Sequence, residues 1–207
     1  MAPGIVRTDT LHRGWGTLRR HTLGDGSTRE VYDHGHAVAC LARDPERGTV
    51  LLVRQERVPI LLHEDDLPRE GAGPLDPAMS VEAPAGLIDG AETPEAAIAR
   101  EMEEETGYRV HDLRRVADLY ASPGSLSERI ILFTALYGPE DRVAEGGGVA
   151  DEGERVEVLE PTETEALAML ADGRVRDLKT AYLLLHAARG WRDDSPAATP
   201  PGGRTAA

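Results

Sequence analysis

Apolar residues fall along this chain in short bursts separated by turn-forming runs. Residues 1–30 are polar, with scattered bases (Arg7, Arg13, Arg19, Arg20) and the turn signal Gly24-Asp25-Gly26. They predict short antiparallel strands outside the main core, as a hairpin or a three-stranded sheet. Apolar content rises over 31–42, and 49–53 is a β-rich run beyond the turn Asp44-Pro45-Glu46-Arg47-Gly48, so the two runs predict a hairpin that opens the main domain. The stretch 63–80 is rich in proline, glycine and acids and reads as a surface insertion. Thr93 as N-cap and Pro94 at the first helical position start a helix that reaches about Thr106 and stops at Gly107. Ile98 and Met102 give it an apolar stripe. Strands are expected at 116–121 and 129–137, flanking the turn Ser122-Pro123-Gly124-Ser125. A glycine-rich acidic loop at 145–154 leads into a strand at 156–159, and helices at 162–171 and 178–188 close on Gly173 and Gly190. Beyond Arg192 apolar residues almost vanish, which predicts a disordered tail. The order is not a simple alternation and fits an α/β class protein, an α/β/α sandwich around a mixed sheet. Residues 1–35 form a small N-terminal antiparallel β element, 36–191 the main domain and 192–207 the tail.

The chain has 207 residues, enough for one domain of ordinary size plus a modest extra element. With 37 acidic against 23 basic residues its formal charge is −14, which argues against a nucleic-acid partner. A small anionic substrate entering such a protein needs metal ions and local cations. The single cysteine, Cys40, excludes an internal disulfide and reads as core filler in a strand. No run resembles a signal peptide or a membrane span, so a cytoplasmic location without membrane contact is expected. The seven histidines show no metal-ligand spacing.

The sharpest chemistry lies in the helix after Thr93. Glu101 and Glu105 are four residues apart and Glu104 is three from Glu101, so three carboxylates share one face. Like charges at that spacing cost roughly 0.2–0.5 kcal/mol per pair. Glu104 and Glu105 also occupy the negative end of the macrodipole, unfavourable by about 0.3–1 kcal/mol. A hard divalent cation held by oxygens reverses the sign of this arrangement. Arg100 is placed to reach and orient Glu104.

The segment 86–108 reads GLIDGAETPEAAIAREMEEETGY. Gly86, then Glu92 after five residues, Arg100-Glu101 after seven more, apolar Met102, Glu104-Glu105, Gly107 and bulky Tyr108 fill every fixed position of the Nudix box. The chain thus resembles the Nudix hydrolases over about residues 36–190. The resemblance implies a Nudix-type α/β/α sandwich and metal-dependent cleavage of a phosphoanhydride bond, with Mg²⁺, or Mn²⁺ as a possibility. It puts metal on Glu101 and Glu105, with Glu104 beside them and the main-chain carbonyl of Ala85 as a further ligand. One more carboxylate is needed to ligate metal or take the proton of the attacking water. Glu154 in the glycine-rich loop matches best and Glu152 second, with Glu104 or Glu128 as fallbacks.

Pro123, sixteen residues after Gly107, and VEAPAG at 81–86, with Glu82 facing the substrate, resemble the ADP-ribose and nucleoside-diphosphate-sugar branch. REVYDHG at 29–35, RQERV at 54–58, the run from Gly146 to Glu160, and GRVRDLKT at 173–180 are similar to the GDP-mannose pyrophosphatase group. That resemblance implies hydrolysis of GDP-mannose to GMP and mannose 1-phosphate. It places Arg57, Arg29 and Lys179 on phosphate or nucleotide and Tyr32 near the base. It also implies a homodimer in which the N-terminal sheet is exchanged and helps shape the partner's site. Glu56 departs from the aromatic residue usual in that group, and the 63–80 insertion is longer than expected. ADP-ribose, cleaved to AMP and ribose 5-phosphate, is the alternative substrate. A non-catalytic sugar-nucleotide sensor is the rival of a different class, against which the intact box weighs.

Overall fold

The computed structural model describes residues 4–63, 79–148 and 155–191. The first three strands, β1 (Ile5–Arg13), β2 (Thr17–Leu23) and β3 (Thr28–Asp33), form a separate antiparallel sheet in that order. Its polar composition is resolved by cross-strand pairs, Arg20 to Glu30 at 2.6 Å and Arg19 to Asp33. Ile5, Val6 and Trp15 stay exposed. The three-stranded sheet is the element expected at this end.

The apolar run 31–42 does not form one strand. Val31 and Tyr32 belong to β3, and the chain crosses at 34–36 into β4 (Ala37–Asp44) of the central sheet. The expected hairpin is short: β4 pairs with β5 (Thr49–Val50) only at Arg43 with Val50 and Asp44 with Thr49. Asp44 fixes the turn by accepting the main-chain N–H groups of Glu46 at 2.8 Å and Arg47 at 3.0 Å. The chain then leaves for another sheet as β6 (Leu52–Glu56), followed by α1 (Val58–His63).

β4 is the centre of the molecule. It pairs in parallel with β10 (Arg129–Leu136), which pairs antiparallel with β9 (His111–Tyr120), and β8 (Ala85–Leu87) joins β4 beside β5. A strand covered on both faces reads as a continuous apolar run rather than an alternation. Accordingly Val38, Cys40 and Ala42 pack on one side with Ile98, Met102 and Phe133, while Ala39 and Leu41 pack on the other with Leu132, Leu183 and Leu184. Burial pushes the Cys40 thiol well up from its ordinary pKa, as befits core filler. A third sheet runs β11 (Glu157–Leu159), β6, β7 (Met79–Glu82). β7, β8 and α1 were not expected: β7 carries the buried polar residues Ser80 and Glu82, and polar residues inside a strand hide its pattern.

Helix α2 (Pro94–Glu101) begins as expected, with Thr93 accepting the Ala96 N–H at 3.2 Å. At Met102 it widens into a π-turn, Met102–Thr106, where a single α-helix was expected. The Thr106 hydroxyl donates to the Met102 carbonyl, a local bond that competes with the regular ladder. Gly107, at φ 77°, ends the helix in the left-handed region, and a β-carbon there would overlap the Ala144 carbonyl. Thr162 and Glu165 make a reciprocal capping box for α3 (Glu163–Ala171), and Asp177 caps α4 (Leu178–Ala188). α2 and α4 cover opposite faces of the central sheet, which is the sandwich expected from the sequence. Residues 192–207 lie outside the described residues, as do Glu152 and Glu154.

Candidate active site

The guanidinium of Arg100 organises the acidic helix. It donates through Nε to Glu92 at 3.1 Å, through Nη1 to Glu101 at 2.8 Å and Glu104 at 2.9 Å, and through Nη2 to the Leu87 carbonyl at 3.2 Å. The expected i to i+4 bond to Glu104 is one part of a wider fork. Glu92 first, then Glu101 and Glu104, hold the Arg100 proton far more tightly than usual. A planar group with several fixed donors suits this bridging as an ammonium would not.

Strand β8 supplies the opposite wall. Glu105, almost fully buried, accepts the main-chain N–H of Ala85 at 3.0 Å, which brings together two of the expected metal-site residues. Beside it Gly86 lies against the Glu101 carboxylate: a β-carbon there would displace that carboxylate from the place where Arg100 holds it. Among the described residues no three acidic, histidine or cysteine side chains stand arranged to hold a metal ion by themselves. The acids are instead held close by one guanidinium and one peptide N–H. The chemistry of the donors fits a hard divalent cation, since carboxylate oxygens are the ligands such an ion takes, and Glu101, Glu104 and Glu105 lie on two successive turns of the helix next to β8.

A second charged group sits on β7. Glu82 is buried and takes Arg57 in a two-pronged pair at 2.8 and 2.9 Å and Lys179 at 2.7 Å. Burial alone would raise the Glu82 carboxyl, but the Arg57 hydrogen bonds and the Lys179 charge outweigh it and hold its pKa at about 2. Arg57 is shifted up, chiefly by its bonds to Glu82. Lys179 is also shifted up, although burial opposes it. Asp177 adds a contact to Lys179 at 3.0 Å, and Thr180, bonded to Asp177, accepts the Ala83 N–H at 2.7 Å. Helix α4 is thereby pinned to the end of β7.

Both groups border one cleft of about 860 Å³, lined among others by Arg57, Gly86, Arg100, Glu101, Glu104 and Lys179. Sequence reasoning missed its mouth, where Trp15 stacks on His34 with ring centres 4.9 Å apart and His34 meets Glu128 at 3.3 Å. The available signal was a lone tryptophan between two glycines, in the turn that joins two polar strands. Arg29, Tyr32 and Pro123 do not line the cleft of their own chain. Arg29 is exposed and donates to the Thr28 carbonyl, Tyr32 packs over Gly16, and Pro123 is exposed in its turn.

A mixed-sheet sandwich that presents an acidic helix to a cleft lined also by Arg57 and Lys179 is the setting of a phosphoanhydride hydrolase. The family described as "NUDIX domain" matches residues 33–184, and the chain belongs to that family. It is 38% identical over 190 residues to a GDP-mannose pyrophosphatase of Yersinia enterocolitica, covering 88% of this chain and 93% of that one. A GDP-mannose pyrophosphatase of Pectobacterium atrosepticum is 43% identical over 164 residues, covering 79% and 78%. A solved structure titled "Crystal structure of ADP compounds hydrolase" superposes with a TM-score of 0.69 over 91% of this chain and 94% of that one. Its 20% identity speaks for the fold. Hydrolases of this family generally need divalent metal ions.

Proposed function

We propose that this chain hydrolyses the pyrophosphate bond of a nucleoside diphosphate sugar, with GDP-mannose preferred and GMP and mannose 1-phosphate as products. The observation that carries the reading is one cleft lined by both kinds of charge, Glu101 and Glu104 of the box helix with Arg57 and Lys179, while the buried Glu105 lies behind it against Ala85, itself a lining residue. The names of the relatives support GDP-mannose among sugar nucleotides.

Mg²⁺, with Mn²⁺ as a substitute, would be held by Glu101 and Glu105, with Glu104 and the Ala85 carbonyl beside them. Bound there, it would neutralise phosphate oxygens and lower the pKa of a water for in-line attack. Arg100 keeps the carboxylates together and aimed into the cleft. Arg57 and Lys179, pre-set by Glu82, bind the diphosphate, and arginine's fork suits its oxygens. Glu154, or Glu152 after it, takes the proton of the attacking water. The N-terminal sheet with its exposed Ile5, Val6 and Trp15 supports a homodimer in which Arg29 and Tyr32 serve the partner's site. Among the described residues no helix is long and apolar enough to cross a membrane, and we place the protein in the cytoplasm.

The test is kcat/KM with Mg²⁺ for GDP-mannose, GDP-glucose, ADP-ribose, ADP-glucose and diadenosine polyphosphates, with products separated by chromatography. GDP-mannose should lead and give GMP. A value for ADP-ribose more than about tenfold higher would transfer the assignment to that substrate. No turnover with tight binding would make the protein a sensor.

A further inference from the structure

The box helix ends in a way its own sequence does not provide for. The last carbonyls of a helix have no partner within it and need donors from elsewhere. Here Gly107 N–H serves Glu103 at 3.0 Å, and two donors arrive from forty residues downstream: Gly147 N–H on the Glu105 carbonyl at 2.9 Å and Gly148 N–H on the Glu104 carbonyl at 3.1 Å. The two carbonyls belong to two of the three acids of the proposed metal face. Gly147 also accepts the Val156 N–H at 3.1 Å, so one residue joins the helix end to the approach of β11 through both of its main-chain groups.

Laying the backbone on the helix end in this manner takes three successive residues with positive φ, Gly146 at 75°, Gly147 at 108° and Gly148 at 79°. Residues with a β-carbon visit that region singly and at a cost, and glycine does so freely. The site also needs such a clamp. The acids at this end repel one another and oppose the helix dipole, so the turn that carries them is the one most prone to fray. A shift of the Glu105 backbone swings its carboxylate away from Ala85 of β8, and a shift of Glu104 draws its carboxylate from Arg100.

We infer that Gly147 is a positioning residue, which holds the main chain of Glu105, and with Gly148 that of Glu104, so that their carboxylates are set for the divalent cation. This rests on the metal reading above. It assigns a role in cation binding to a glycine that contributes no ligand atom and stands some forty residues from the box.

The test compares Gly147→Ala with Gly190→Ala in the full-length protein. At 147 a β-carbon meets only the Val156 carbonyl oxygen, at 3.6 Å, so the substitution acts through φ and not through a clash. Gly190 has nearly the same φ, 112°, with open space around it and no part in the site. Mn²⁺ affinity is read by electron paramagnetic resonance without substrate, alongside Tm, kcat and KM. Gly147→Ala should weaken Mn²⁺ and lower kcat each by about tenfold with KM within about twofold, the lower end of the range for partners that act through a ligand. Gly190→Ala should lose a similar Tm and keep Mn²⁺ affinity. Gly147→Asn, which tolerates positive φ better, should fall between and decides the matter if the alanine variant does not fold. Mn²⁺ affinity within twofold of the parent in the folded variants would leave Gly147 a purely structural residue. A parent protein that binds no Mn²⁺ would instead sink the metal reading on which the inference stands.

Discussion

Lys179 and Glu82 meet at 2.7 Å although 97 residues separate them in sequence. The pair fastens the first turn of α4 to β7, and because Glu82 also holds Arg57, one buried carboxylate sets two of the cations that face the cleft. Glu82→Gln should therefore raise KM for the nucleotide sugar and leave kcat less affected. Its pH signature follows from linkage. The folded pKa of about 2 lies below the ordinary 4.5, so the carboxylate stabilises the fold fully above that ordinary value, and the contribution is lost as pH falls from 4.5 through about 2. Thermal melts should show the variant well below the parent at pH 7 and the gap closing toward pH 2. A gap that stays constant with pH would mean that Glu82 does not carry this charge coupling.

Activity should vanish on removal of divalent cations and return with Mg²⁺. Glu105→Gln and Glu101→Gln should each lower kcat by at least about a hundredfold, since even groups one step removed from a metal cost about 10–100-fold. Circular dichroism should report an intact fold. Full activity in EDTA would refute the placement of metal on this helix.

Arg100→Lys keeps the charge and loses the fork. A lysine cannot bridge Glu92, Glu101, Glu104 and the Leu87 carbonyl at once. The variant should have a lower Tm and a kcat reduced about 10–100-fold. Unchanged kinetics would show that only a positive charge is required there.

Glu154→Gln should reduce kcat at saturating metal and substrate by about 10²–10⁴-fold if it is the general base. Glu152→Gln should matter less. The reverse ranking exchanges their roles. Near-parental rates in both move the base to Glu104 or to Glu128, which already faces the cleft.

Deleting residues 1–30 should convert a dimer to monomers and impair substrate binding. Analytical ultracentrifugation of both proteins checks this, and a full-length protein that sediments as a monomer at micromolar concentration contradicts the dimer.

What could be read from the sequence was whatever depends on local spacing. Thr93, Pro94 and Gly107 marked the box helix within its true limits, and Arg100 reached Glu104 as its position required. Both late helices and the polar N-terminal sheet were legible for the same reason. The π-turn was not, because it follows from competition between the Thr106 hydroxyl and the backbone, which spacing cannot weigh. β7 was hidden by Glu82, whose burial makes sense only with Arg57 and Lys179 in place. The cleft mouth was missed because Trp15, His34 and Glu128 come from three distant parts of the chain and meet only through tertiary packing.

Cys40 gives the molecule a built-in reporter. It is the one thiol in the sequence, fully covered in the middle of the strand around which both cores assemble. A small disulfide reagent can reach it only after β4 is uncovered, so in native buffer the rate of modification measures the free energy of the deepest opening rather than of a loosened loop. Since no second sulfhydryl contributes, that measurement has a single source, and unfolding can be followed without denaturant or an engineered probe.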